Sequence, residues 1–139
     1  MPKIAVSDEE VKACFEVMQE LRPHLVKENF LGAIREMEKQ GYRLVYIEES
    51  SFVVALAGYR ISTNLFMGKN LYVDDLVTSK NQRSKGHGES LISWLKQLAI
   101  ESGCNKLHLD SGTHRDQAHK FYFSQGLVIA SYHFSKDIA

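Results

Sequence analysis

Apolar positions along the chain change their period twice. Residues 3–6 read as a short first strand. From residue 8 to about residue 21 the apolar side chains Val11, Phe15, Met18 and Leu21 recur at helical spacing on one face. Ser7 and Glu10 form a Ser-x-x-Glu box, which satisfies two orphan N–H groups at a helix start. Pro23 interrupts this helix. A second helical pattern covers about residues 27–39, and Gly41 is placed to stop it. The period then shortens. Residues 42–47 and 52–62 are β-branched and aromatic and read as two strands around a polar turn at Glu48 to Ser51, with Gly58 a candidate bulge. A second turn is predicted at Met67 to Asn70, and a third strand at residues 71–78. Short turns make these strands antiparallel neighbours.

After Thr78 the pattern becomes loop, helix, strand, helix, strand. Residues 86–102 carry an apolar stripe of Leu91, Trp94, Leu95, Leu98 and Ala99 and end at Gly103. Residues 104–109 read as a strand, 117–124 as a short helix closed by Gly126, and 127–134 as a last strand. The predicted fold is mixed α/β (α+β). A mostly antiparallel central sheet is flanked by helices, and a β-α-β-α-β C-terminal half holds one parallel strand pair with a right-handed crossover. Its length suits one domain, residues 1–139.

Charge narrows the function classes. Lys and Arg total 17 and Asp and Glu total 17. This balance argues against a strongly basic nucleic-acid binder. The longest apolar run, residues 52–57, is far short of a bilayer span, so no membrane partner is expected. No apolar signal region follows Met1. Cys14 and Cys104 stand alone, form no CxxC pair and suit a reducing cytoplasm.

The chemistry concentrates in one stretch. A strand runs into a loop of Arg83, Ser84, Lys85, Gly86, His87 and Gly88, which opens the long helix, with Glu89 and Ser90 just behind. Glycines let backbone approach a ligand closely. Free N–H groups at a helix start, together with its dipole, favour an anion, and Arg83 and Lys85 add positive charge. No Walker A loop is present, and Leu91 stands where a dinucleotide fingerprint needs its third glycine.

Arg83-x-x-Gly86-x-Gly88, followed by Ala118-x-x-x-Tyr122-x-x-x-Gly126, resembles the GNAT superfamily of N-acetyltransferases, and the order of elements is similar across nearly the whole chain. The resemblance implies an acetyl-CoA-dependent transfer of an acetyl group directly to a primary amine, on a small molecule or a protein. It implies that Leu76, Val77 and Thr78 offer backbone to the pantetheine arm, and that residues 83–88 hold the pyrophosphate. Tyr122 takes the general-acid position, since a phenol with a pKa near ~10 can protonate a leaving thiolate. Asp74 and Asp75 are the candidate general bases. Strand alternation sets their side chains on opposite faces, and parity with Tyr72 and Leu76 favours Asp74. His87, between the glycines, is expected to be solvated. Arg22 and His24, flanking Pro23, are candidate acceptor contacts. Arg115 stands where relatives often carry an Asn that contacts the cofactor.

Three readings stay open or are set aside. A non-catalytic acyl-CoA-binding module would keep the loop and lack a working acid and base. His108, Asp110, His114 and His119 lie close in sequence but give no firm ligand spacing, and acetyl transfer needs no metal. Tyr132 and Phe134 alternate on the last predicted strand, either as core or as the surface of a homodimer.

Overall fold

The structure, a computed structural model, describes residues 1–139. Five strands form one sheet in sequence order: β1 (Lys3–Ile4), β2 (Tyr42–Glu49), β3 (Phe52–Asn64), β4 (Gly68–Thr78) and β5 (Lys106–Leu109). The first four pair antiparallel, and β5 joins β4 in parallel through a helical crossover, as the spacing predicts. One face is covered by α1 (Asp8–Ala13), α2 (Phe15–Leu21) and α3 (Lys27–Glu38), and the other by α4 (His87–Glu101). A short α5 (Asp116–Ser124) follows β5.

Two cores result, one per face. Val11, Cys14, Phe15, Met18, Phe30 and Ile34 pack on Tyr42, Leu44, Tyr46 and Leu56. Leu91, Leu95 and Ala99 of α4 pack on Val45, Ala55, Ala57, Leu71 and Val73. The fully apolar centre of β3 follows from this, since its middle residues are covered on both faces.

The first predicted helix is two helices. Cys14 keeps helical dihedrals, but its N–H bonds to Val11 one residue early, and this tight turn separates α1 from α2. The capping box forms as predicted: Glu10 N–H donates to Ser7 Oγ at 3.1 Å, and Ser7 N–H to Glu10 Oε1 at 2.9 Å. The Ser7 N–H, together with the Val6 N–H, holds the Glu10 carboxyl down at about 2. A depressed carboxyl stabilises the fold above its unfolded pKa, and the contribution fades as pH falls from the ordinary glutamate range towards 2. Urea unfolding of Glu10→Gln is therefore expected to lose less stability than wild type across that acid window. Ser7→Ala should cost about 1 kcal/mol at neutral pH.

Both predicted turns are shifted. The β2–β3 turn is only Ser50–Ser51, both with positive φ, the conformation that a two-residue hairpin needs to match strand twist. The β3–β4 turn lies at Leu65–Met67 rather than at Met67–Asn70, because the Asn64 side chain accepts from Met67 N–H at 2.7 Å and closes it early. Asn70 is instead buried inside β4, bonded to Ser62 O and His108.

The predicted last strand is absent. Residues 127–139 are in no helix or strand, and from Val128 onward every residue is exposed. The alternation that suggested a strand is real, but nothing in this chain pairs with it.

Candidate active site

The site begins where two parallel strands part. β4 and β5 pair only from Asn70↔Lys106 to Val73↔Leu109, and beyond Val73 the β5 side of β4 has no neighbouring strand. A bulge sits at this point. Gly58 of β3 faces Asp75 while Tyr59 faces Val73, so Asp74 is an extra residue in the ladder. Val73 and Leu76 both pack towards α4. Asp74 and Asp75, lying between them, therefore both turn to the α1–α2 face. Strict alternation, which would put them on opposite faces, fails here because the bulge resets the phase. Tyr72 and Leu76 accordingly lie on opposite faces and give no common parity.

The two carboxylates have different tasks. Asp74 Oδ1 and Oδ2 accept from Arg60 Nη2 and Nε at 2.8 and 2.9 Å, a bidentate clamp that fixes the carboxylate plane. Asp75 is held deeper. Its Oδ2 accepts from Tyr42 Oη at 2.8 Å and its Oδ1 from Arg22 Nε at 3.1 Å. Arg22 also donates to the Asp74 carbonyl at 2.9 Å, so one guanidinium ties α2 to both residues of the bulge. Burial, then the Asp75 charge, pushes the Tyr42 phenol well above its usual pKa and keeps it a donor.

A cleft of about 490 Å³ opens between the parted strands. Glu20, Arg22, Asp74, Leu76, Asp110, Ser111, Arg115 and Tyr122 line it. Asp74 and Tyr122, 48 residues apart in sequence, thus share one cavity. Asp75 is not in its wall, and neither is His24, which is exposed beyond the bend. Tyr122 sits on α5, whose end is fixed by Gly126. Leu127 N–H donates to Tyr122 O, Gly126 N–H donates to Phe123 O, and Gly126 takes a φ of +84°. Burial raises the Tyr122 pKa, with Arg115 pulling weakly the other way. The phenol therefore keeps its proton through neutral pH. Ser111 Oγ is buried with no hydrogen-bond partner.

The loop from Arg83 to Gly88 turns sharply into the start of α4. Ser84 and Gly86 both have positive φ, 67° and 85°, which turns successive N–H groups to one side. The α4 start has no side-chain cap, so its first N–H groups are free for a ligand. Arg83, Lys85, Glu89 and Ser90 are exposed around it. His87 contradicts the expected solvated position. It is the first residue of α4, only 8 % exposed, with Nε2 unpartnered and 3.7 Å from Glu49 Oε2. Its side chain is turned inward by the helix start, leaving the backbone N–H to the loop.

Gly88 sets the distance between the loop and the helix carrying Tyr122. A methyl there would lie 3.0 Å from Phe121 Cζ. Gly88→Ala should push α5 outward and raise the KM for acetyl-CoA several-fold in steady-state assays, with a modest stability loss of about 1 kcal/mol.

Residues 7–127 match the model of the acetyltransferase (GNAT) family. The chain belongs to that family. It is similar over 98 % of its length, and 97 % of the relative's, to an uncharacterized N-acetyltransferase of Bacillus subtilis named YhdJ, at 33 % identity. Its fold matches a glucosamine-6-phosphate N-acetyltransferase from Arabidopsis thaliana with a TM-score of 0.79 and 22 % identity, over 100 % of this chain and 99 % of that one. It matches an aminoglycoside N-acetyltransferase in complex with CoA with a TM-score of 0.86 and 11 % identity, over 99 % and 95 %. The protein is an acetyl-CoA-dependent N-acetyltransferase.

The structure also fits that co-substrate on its own terms. The open edge of β4 offers strand-type partners to an amide-bearing arm, and the uncapped α4 start suits a pyrophosphate. Several residues that the structure brings to the candidate site were not legible in sequence. Arg60, Tyr42 and Ser111 carry no motif. Hairpin register places Arg60 opposite Tyr72, and Asp74, two residues on, is its diagonal neighbour on the same face. The histidines near the second motif do not gather. His108 bonds to Asn70, and His119 to Gly112 O.

Proposed function

We propose that residues 1–139 act as one catalytic domain that acetylates a small polar primary amine in the cleft between β4 and β5. The observation that carries this is the convergence of Asp74 and Tyr122 on one cavity of about 490 Å³, a volume suited to a metabolite-sized acceptor. Acetyl-CoA supplies the acetyl group as a thioester. Leu76, Val77 and Thr78 offer it backbone along β4, and the N–H groups of residues 83–88 take its pyrophosphate.

Asp74 receives the acceptor's proton, directly or through water, while Arg60 keeps its carboxylate aimed. A primary amine with a pKa near ~10.4 arrives protonated, so this removal is needed before attack. Tyr122 Oη holds a proton for the departing sulfur. Asp75 acts as a positioning residue, fixing the bulge through Tyr42 and Arg22. Ser111 Oγ is the unpartnered group available to an acceptor, and Arg22 lines the same wall. Direct transfer, without an acyl-enzyme, is supported by the cysteines. Cys14 is buried with its thiol pushed up to about 12, and Cys104 is not in the cleft wall. These unpaired thiols also support a cytoplasmic setting, and no helix is long and apolar enough to cross a membrane.

The test is thiol release from acetyl-CoA with a panel of small amines against lysine peptides of equal concentration. Turnover of small amines with kcat/KM at least tenfold above the peptides supports the reading. Preference for peptides would replace it with a protein acceptor.

A further inference from the structure

Strands β4 and β5 separate after Val73↔Leu109, and the next residue on each is an aspartate, Asp74 on β4 and Asp110 on β5. Both line the cleft. They stand on opposite lips of it, with backbones at least about 5 Å apart, the spacing of paired strands. One side chain spans the pair. Tyr72 Oη donates to Asp110 Oδ2 at 2.7 Å. The Arg60 guanidinium that clamps Asp74 lies 5.6 Å from the centre of the Tyr72 ring. Burial, then the bond to Asp110, raises the Tyr72 pKa and keeps the phenol a donor. The two carboxylates are thus held at a set separation before any acceptor arrives.

Of the carboxylate oxygens around the cleft, Asp110 Oδ1 alone accepts no hydrogen bond. Both oxygens of Asp74 accept from Arg60. Both oxygens of Glu20 accept, from Lys80 N–H and from Ser79 Oγ, each at 2.9 Å. Asp75, behind the wall, is filled by Tyr42 and Arg22. The one ion-pair contact of Asp110 is the exposed His133 at 3.6 Å, and no Arg or Lys pairs with it. Tyr72 is a neutral donor, so the charge of Asp110 remains for a ligand. Ser111 Oγ, next in the chain and buried without a partner, lines the same wall. An ammonium carries three N–H donors, and these two oxygens can take two of them. Of the wall's two arginines, Arg22 is tied to Asp75 and Arg115 to no carboxylate, so an acceptor bearing an anion is the competing case.

We infer that Asp110 holds a second cationic group of the acceptor, so that the enzyme selects diamines over monoamines. This rests on the cleft being the acceptor site. The amine to be acetylated lies at Asp74 and Tyr122. The other nitrogen stays an ammonium against Asp110 Oδ1 and Ser111 Oγ, neither losing its proton nor taking the acetyl group. A monoamine leaves Asp110 empty. Two-point attachment fixes the direction of the acceptor and brings its free end to the thioester. Asp110 makes and breaks no bond in the transfer, and its contact is the same before and during reaction. Its effect therefore belongs in KM rather than kcat.

The test uses the full chain and three probes of one chain length: butane-1,4-diamine, butylamine and 4-aminobutyrate. Calorimetric titration into protein saturated with CoA, which has no acetyl group to give, should show the diamine binding about tenfold tighter than butylamine, with 4-aminobutyrate weakest. With acetyl-CoA, thiol release should follow the same order, carried by KM. Asp110→Asn keeps an oxygen for Tyr72 Oη and should bring the diamine-to-butylamine ratio to near one in both assays. Equal or undetectable binding of the two amines, tighter binding of 4-aminobutyrate, or a diamine preference that survives Asp110→Asn would each overturn the inference. A binding preference that Asp110→Asn abolishes supports it even where no small amine is turned over, and that lack of turnover would count against the small-amine reading instead. If Asp110→Asn does not fold, Tyr72→Phe decides. It frees the Asp110 carboxylate and should narrow the preference several-fold, and an unchanged preference would overturn the inference.

Discussion

Tyr122→Phe is expected to lower kcat about 100-fold while leaving the KM for acetyl-CoA within twofold, read by steady-state thiol release with acetyl-CoA saturating. General-acid catalysis contributes roughly 10²–10⁴-fold, and a thiolate is a good enough leaving group to put this case at the low end. The change removes one oxygen and no apolar surface. The ring still packs against Phe121 at 5.7 Å, and the Gly126 turn still fixes the end of α5. The fall should therefore appear in kcat, not in folding. Burial raises the phenol's pKa, so its proton is retained as pH rises through the range where a free tyrosine would lose it. The wild-type profile should show no alkaline loss from Tyr122 below about pH 10. A limb below that belongs to another group and should survive in Tyr122→Phe. A variant with unchanged kcat would remove Tyr122 from the chemistry.

Gly58→Ala should destabilise the protein by about 3–5 kcal/mol, lowering Tm by roughly 10 °C or more. An added methyl would overlap the Tyr42 ring, with Cε1 2.6 Å away. Tyr42 is only 1 % exposed and cannot swing aside. Moving it breaks the 2.8 Å bond to Asp75 and loosens the bulge that carries Asp74 and Asp75. Stability and activity should fall together. Tyr42→Phe separates the two effects. It loses only the hydroxyl, leaves Asp75 with Arg22, and should cost about 1.5–3 kcal/mol. Thermal unfolding of both variants checks the order. Equal costs would mean that the close approach at Gly58 is not what limits this region.

The same bulge shows where sequence reading stops. The element order, the Ser7–Glu10 box, the loop at Gly86 and the helix end at Gly126 were all legible, because each depends on residues within a few positions of one another. Gly58 pointed to an irregularity on β3. The extra residue, however, is Asp74 on the opposite strand, and its position follows from pairing across the sheet. Once the phase slips, alternation mispredicts which carboxylate faces which wall. Arg60 was missed because its clamp on Asp74 is a contact across two strands, set by the β3–β4 register. His87 was misread because its neighbours suggest an open loop, while its burial under Glu49 is a tertiary contact. Residues 127–134 failed differently. The alternation is present in the sequence, but a strand forms only against a partner strand, and residues 127–139 pair with none.

The most direct test of the site is a 15N amide chemical-shift titration with acetyl-CoA. The largest shifts are expected at Leu76, Val77 and Thr78 and across residues 83–90, with Tyr122 also perturbed. Shifts concentrated elsewhere on the surface, with these amides unmoved at saturation, would contradict the placement of acetyl-CoA between the open edge of β4 and the start of α4.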